Sequence, residues 1–245
     1  MSVLVVGASG ATGRLLVQQL LDRGGNVKAI VRTPDTLPSD LRAHPQLELI
    51  GASPLDLTGA EMAAHLGGSQ AVASCLGHNL TLRGLFGQPR LLVTDATRRL
   101  CDAVQATRPV EKVRFVLMNT AGNRDRGVPE RLSFSERCVI AGIRALLPPH
   151  RDNENAAEYL RATVGARDEA IEWCVVRPDT LIDGTEVTPY DVHPSPIRSA
   201  IFNAGKTSRI NVGHFMADLM TDDSVWPRWK GRMPVIYNRT STPAM

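Results

Sequence analysis

The sequence predicts an α/β fold, a doubly wound and mostly parallel sheet, on three observations. Strand-like and helix-like stretches alternate along the chain with no linker between them. The apolar runs are short and β-branched, as in strands buried on both faces. A glycine-rich turn, Gly7-Ala8-Ser9-Gly10-Ala11-Thr12-Gly13, sits between the first strand and the first helix.

Val3-Leu4-Val5-Val6 reads as the first strand and Arg14 to Leu21 as the helix after the turn. The glycines permit a turn in which a Cβ would clash, and they let N–H groups approach a ligand closely. The first turn of the helix aims unpaired N–H groups and a positive dipole end at an anion. Together these parts describe a dinucleotide pyrophosphate site of Rossmann type, where a glycine-rich turn alone would be a weak signal. Asn26 to Val31 reads as the second strand, with Arg32 and Thr33 at its carboxyl end. An NAD site usually offers an acidic residue here, whereas a guanidinium suits a 2′-phosphate. NADP (as NADPH) is therefore the expected cofactor, with NAD less favoured but kept open by Asp35.

Leu47-Glu48-Leu49-Ile50 is the third strand. Leu57 to Leu66 is a helix with Thr58 as its N-cap and Gly67-Gly68 as its end. Ala71 to Ser74 is a fourth strand running into Cys75-Leu76-Gly77-His78, and a helix follows from about Leu92 to Ala106. Val113 to Met118 is the fifth strand, and helices are predicted over roughly Pro129–Leu147 and Asp152–Val164. Ile171 to Val176 is the sixth strand, stopped by Arg177-Pro178. In such sheets the ligand lies outside the carboxyl ends of the strands, so the residues just after each strand are the informative ones. Residues 1–245 are expected to form one NAD(P)-binding domain, with those from about 178 onward on the substrate side.

Composition narrows the partners. A formal charge of +3 with no block of like charges gives no support to nucleic-acid or membrane-surface binding. No apolar run approaches the roughly 18 residues needed to span a bilayer. The first strand starts at once, which leaves no room for a signal peptide. Cys75, Cys101, Cys138 and Cys174 are scattered, as reduced thiols of a cytoplasmic protein would be, and the six histidines show no metal-ligand spacing.

With these features in hand, the chain resembles the atypical short-chain dehydrogenases/reductases of the NmrA-like branch. The match rests on Gly7 to Gly13, Cys75-Leu76-Gly77, Asn119-Thr120-Ala121-Gly122 and Val176-Arg177-Pro178, in that order. Gly213-His214-Phe215-Met216, followed by Leu219 to Asp223, is similar to the tail of the biliverdin reductase B and flavin reductase group. The resemblance implies that Ser9, Gly10, Ala11 and Thr12 meet the phosphates and that Arg32 and Thr33 meet the 2′-phosphate. It implies Ser53, or Asp56 with Leu57, near the adenine, although Gly51-Ala52-Ser53 departs from the usual Gly-Asp. Cys75, Leu76, Gly77, Asn119 and Pro178 would line the ribose and nicotinamide, Asp179 would approach them, and Thr120 matches the hydroxyl residue after strand five.

One departure bears on chemistry. The family's Tyr-x-x-x-Lys pair is replaced, counting back from Ala156-Ala157-Glu158, by His150 and Glu154. His150 could donate a proton near neutral pH. Pro148-Pro149 in front of it, and Asp152 or Asn153 as a helix cap behind it, predict instead an exposed loop residue ahead of the helix. Thr120 is then the polar group expected nearest the chemistry. A flavin, quinone or tetrapyrrole-like acceptor would accept hydride with little more than positioning and solvent protonation. In the loop after strand four, His78, Arg83 and Phe86 are candidate substrate contacts, with Leu85 beside them, or the loop is surface only. The expected function is an NADPH-dependent reductase of a flat conjugated small molecule. The alternative is a non-catalytic, NADP-binding redox sensor acting through a protein partner, and an epimerase or dehydratase is weaker still.

Overall fold

A computed structural model describes residues 1–78, 87–130 and 133–239. Its strands are β1 (Ser2–Val6), β2 (Asn26–Val31), β3 (Leu47–Gly51), β4 (Ala71–Ser74), β5 (Val113–Met118), β6 (Ile171–Pro178), β7 (Thr180–Ile182), β8 (Tyr190–His193), β9 (Lys206–Ser208) and β10 (Val235–Asn238). Its helices are α1 (Ala11–Asp22), a one-turn α2 (Ser39–Arg42), α3 (Gly59–Leu66), α4 (Leu92–Thr107), α5 (Phe134–Leu146), α6 (Pro148–Tyr159), α7 (Arg209–Thr221) and a short α8 (Trp226–Trp229).

The main sheet runs β3-β2-β1-β4-β5-β6-β10-β8, and a small parallel pair joins β7 to β9. The first six strands and β10 are parallel, and β8 closes the edge antiparallel to β10. The order reverses between β1 and β4, which opens a crevice at their carboxyl ends.

Alternate strand residues feed two cores. Val3, Val5, Ala29, Ala73 and Val176 pack with Leu16 and Leu20 of α1 and with Val212, Phe215 and Met216 of α7. Leu4, Val6, Ile30, Val72, Phe115 and Val175 pack on the other face with Met62, Leu100, Val104 and Leu160. The tail motif noted in the sequence is part of this packing: a Cβ at Gly213 would stand 3.1 Å from the Leu16 backbone nitrogen, so glycine lets α7 lie close on α1. The chain beyond Pro178 is thus divided. α7 and β10 join the core, whereas residues 195–201 form one wall of a cavity.

β1 to β5 with α1, α3 and α4 lie where the sequence predicted them, within a few residues, β7 to β10 were not predicted, and Thr58 caps α3 in a box completed by Glu61. The helices between β5 and β6 differ. α5 begins at Phe134, behind a capping box of Ser133 and Glu136, because Glu130 is committed elsewhere. α6 begins at Pro148 rather than Asp152, with the prolines in its first turn, where the missing N–H has no partner to lose.

Glu130 is held by Arg177, whose guanidinium has no solvent exposure. Nη2 donates to Glu130 Oε1 at 2.7 Å, Nη1 to the Asn123 carbonyl at 2.8 Å, and Nε to the Met233 carbonyl at 2.6 Å. The dipeptide expected to stop β6 instead continues it and pins the 123–130 segment to its end. Removing one partner of a buried ion pair leaves the other charge desolvated and uncompensated. Glu130→Ala should therefore cost about 3–5 kcal/mol in a urea unfolding titration. A loss below about 1 kcal/mol would mean that Arg177 recovers water or another partner.

Candidate functional site

Two of the three turn glycines are required by the chain itself. Gly7 has φ +76°, and a Cβ there would stand 2.6 Å from the Cys75 carbonyl carbon. At Gly13 a Cβ would stand 2.1 Å from the Gly7 oxygen. Gly10 is different: its backbone is ordinary extended (φ −72°, ψ 161°) and a Cβ would meet just the Gly7 oxygen, at 3.2 Å. Ser9, Gly10 and Ala11 are exposed, while Thr12 and Gly13 are buried. α1 starts from Gly10 with no side-chain cap and no acidic residue in its first turn. Its leading N–H groups and positive dipole end therefore face an uncrowded space. Those features fit a pyrophosphate, and the space is one that a Cβ at Gly10 would enter.

The other rim residues lie along the same edge. Arg32 and Thr33 are exposed after β2, and among the described residues Arg32 makes no ion pair. Asp35, the acidic alternative, is engaged by Arg42. Asp56 is exposed and Leu57 half-buried, with the Leu57 carbonyl accepting from Arg99. Cys75 is buried, and burial pushes its thiol up to about 12, so it lines the rim as a neutral group. Leu76 is half-buried and Gly77 exposed. Pro178 ends β6 and its carbonyl accepts the Ala121 N–H at 2.8 Å. Asp179 spends its carboxylate on the Thr180 and Gly205 N–H groups.

After β5 the chain turns sharply. The Asn119 side chain is buried and internally bonded, accepting from the Thr120 N–H and donating to the Asn153 carbonyl of α6 at 2.9 Å. Thr120 Oγ1 accepts from the Gly122 N–H at 3.3 Å. A Cβ at Gly122 would lie 3.7 Å from Thr120 Oγ1 and 3.6 Å from His150 Cε1, so hydroxyl and imidazole flank the same glycine. His150 is not the exposed loop residue that its prolines suggested. It lies in the first turn of α6 with its side chain 12% exposed, and Nε2 faces Glu154 Oε1 at 3.4 Å. Arg144 grips the same carboxylate through Nε and Nη2. Burial opposes ionisation of Glu154, but the His150 and Arg144 contacts outweigh it and hold the carboxyl at about 2.

Asp152 is a cap, though of another helix. Its carboxylate is fully buried and accepts the Val93 and Thr94 N–H groups at the start of α4, at 2.8 and 2.9 Å. The same Oδ2 meets His78 Nε2 at 2.7 Å, so His78 is turned into the protein with its side chain 6% exposed. Arg83 and Phe86, with the rest of 79–86, lie outside the described residues. Among the described residues no group of His, Cys, Asp and Glu is arranged to hold a metal ion, and no helix is long and apolar enough to cross a membrane.

A cavity of about 480 Å³ opens beside Gly122, bounded by the segment 121–130, α5 and residues 195–201. Sequence reasoning missed this cavity, the Glu154–Arg144 pair and the role of Asp152. The diproline was the available signal for the start of α6. Asp152 had no local signal, because the helix it caps lies 58 residues away.

Comparison with known proteins accords with this geometry. A family described as NAD(P)H-binding matches residues 7–223. The 3 beta-hydroxysteroid dehydrogenase/Delta 5-->4-isomerase of Mycobacterium tuberculosis is 45% identical over 62 residues, 25% of this chain and 15% of that protein's length. A short-chain dehydrogenase/reductase from Veillonella parvula, solved in complex with NADP, has a TM-score of 0.70 at 14% identity, over 97% of this chain and 94% of that one. A Streptococcus pneumoniae protein assigned as an NADH-flavin reductase has a TM-score of 0.63 at 17% identity, over 98% of this chain and 100% of that one. At such identities the structural likeness shows the shared fold.

The unequal roles of the glycines can be separated by substitution. Gly10→Val should keep a native circular dichroism spectrum and abolish binding of both NADPH and NADH. Gly13→Val, which drives side-chain atoms into the Gly7 carbonyl, should lose the fold as well. Nucleotide binding that survived Gly10→Val would remove the cradle from consideration.

Proposed function

This chain belongs to the NAD(P)H-binding family, and on that premise we propose that it is an NADPH-dependent reductase, working in the cytoplasm on a flat conjugated small molecule such as a flavin, a quinone or a tetrapyrrole-like compound. The observation that carries this reading is the meeting of Thr120 and His150 around Gly122, a residue that also lines a cavity of about 480 Å³. A protein that merely bound the nucleotide would need the cradle at Gly10. It would have no use for a hydroxyl and an imidazole gathered around a glycine of a cavity wall.

The cofactor would be held by Ser9 to Gly13 at its pyrophosphate, by Arg32 and Thr33 at its 2′-phosphate, and by the 75–77 and 119–122 rims at the nicotinamide end. When bound, NADPH supplies a hydride. The protein's share of the work is orientation, exclusion of water and delivery of a proton. Glu154, anionic through the neutral range, faces His150 Nε2, and Arg144 keeps the carboxylate in place. His150 is then the group that hands a proton to the acceptor, while Thr120 Oγ1 hydrogen-bonds it. An aromatic acceptor that carries its own electron sink suits a site without the Tyr-x-x-x-Lys pair. The assignment of the Streptococcus relative as a flavin reductase points the same way.

Preference for NADPH rests on Arg32. Removing a charge-assisted contact to a phosphate should cost about 1.5–3 kcal/mol, so Arg32→Ala should weaken NADPH binding about tenfold or more and leave NADH nearly unchanged. Equal losses in the two titrations would refute the 2′-phosphate role.

Turnover over a panel of flavins, quinones and aldehydes tests the reaction itself. Steady oxidation of NADPH by a conjugated member is expected; tight binding with no turnover of any would favour a redox sensor that reports to a protein partner. With a competent acceptor, His150→Ala should lower kcat at least about tenfold at unchanged KM for NADPH, and Thr120→Val about tenfold. A His150→Ala protein working at the parent rate would return protonation to solvent.

A further inference from the structure

The cavity beside Gly122 has a chemical bias of its own. Its volume, about 480 Å³, suits one ring-based molecule. Pro129, Ile140, Ile197 and Ile201 give it apolar walls, and four charged side chains line it: Arg124, Arg198, Glu130 and Glu136. The two signs differ in how far they are already satisfied.

Both carboxylates already accept hydrogen bonds from the protein. Glu130 gives one oxygen to Arg177 Nη2 at 2.7 Å and the other to the Asp125 N–H at 3.0 Å. Glu136 accepts the Ser133 N–H at 2.8 Å and the Ser133 hydroxyl at 2.7 Å. Hydroxyl bonds from Ser199 and Ser133 hold its carboxyl below the usual range.

The guanidiniums are not spent. Both are exposed, and among the described residues neither forms an ion pair. Arg198 rests 5.8 Å from the centre of the Tyr237 ring, a contact that leaves the edge of its guanidinium open to a further partner. Asp179, the carboxyl that feels its charge, is bonded instead to the Thr180 and Gly205 N–H groups. A planar fork of N–H donors fits a carboxylate, and two forks at one cavity fit an acceptor that carries one.

We propose that this cavity selects acidic acceptors: conjugated carbonyl compounds whose carboxylate is received by Arg124 and Arg198 while the reducible end lies at Thr120 and His150. The assignment rests on the reductase function above and adds the substrate's charge. Arg124 stands two residues beyond Gly122 on the rim after β5, and Arg198 lines the same cavity from the 195–201 segment, so a carboxylate received by both would fix the ring system within it.

The test is a matched pair of acceptors, a naphthoquinone bearing a carboxylate side chain and its methyl ester. They are compared in the parent protein and in Arg124→Gln, Arg198→Gln and the double variant at saturating NADPH. The acid is expected to exceed the ester in kcat/KM at least about tenfold, and the double variant should lower that ratio at least about tenfold. Raised salt should lower the ratio as well. Equal kcat/KM for acid and ester in the parent, or a ratio unmoved by the double variant, would overturn the proposal. If neither compound is turned over, the reductase function fails and the charge assignment is judged by calorimetric titration of the acid alone. Binding by the parent that is lost in the double variant sustains an acid-binding cavity, and equal binding or none by the parent rejects it. Circular dichroism and the unfolding midpoint verify that each variant is folded.

Discussion

The Arg177 guanidinium, sealed from water at the end of β6, is the constraint around which the strand ends of the candidate site are arranged. A charge in that position is tolerable where each of its donors finds an acceptor. The acceptors come from three separated places: the Met233 carbonyl, the Asn123 carbonyl and the Glu130 carboxylate. Satisfying the guanidinium therefore fixes the course of the chain from Asn123 to Glu130. That course in turn fixes the cavity wall, since Ala121, Gly122, Arg124 and Pro129 lie within or beside it. The Ala121 N–H bonded to the Pro178 carbonyl adds a second tie between the same two strand ends.

A second anchor works at the neighbouring strand ends. Asp152 on α6 joins the start of α4 to His78 after β4, and Asn119 joins the end of β5 to the Asn153 carbonyl of α6. The helix that carries His150 is thereby tied to the rims of two adjacent strands. The candidate site residues gather here because a parallel sheet sends all its strands toward one edge. These bonds convert loose strand ends into a rigid mount.

The layered sheet was legible because buried parallel strands leave short apolar runs and glycine punctuation in the sequence, as at Val3–Val6 and Gly67-Gly68. The glycine turn from β1 into α1 was legible as well, since its parts are contiguous in the chain. The start of α6 was not. Pro148-Pro149 reads equally as a loop or as a first helical turn, and the choice depends on what α6 packs against. Arg177-Pro178 had the same ambiguity: it looked like a strand terminator and proved to be a buried hub whose partners lie 47 to 56 residues away. Arg124 and Arg198 share a cavity through loops, where no periodicity marks which side chains will meet.

The three glycines of the turn also differ in what selection can do with them. Change at Gly7 or Gly13 strikes backbone and damages the protein in any role. Gly10 has an ordinary conformation, and a Cβ there would meet one backbone oxygen at 3.2 Å, a milder conflict than at the other two glycines. Under the proposed nucleotide role, the step from a nucleotide-dependent protein to a nucleotide-free scaffold is a single substitution at this position, away from the buried core. A lineage that lost its need for the cofactor would drift first at this position and keep its sheet, which leaves Gly10 as the place in a descendant's sequence where abandonment of the ancestral chemistry is written earliest.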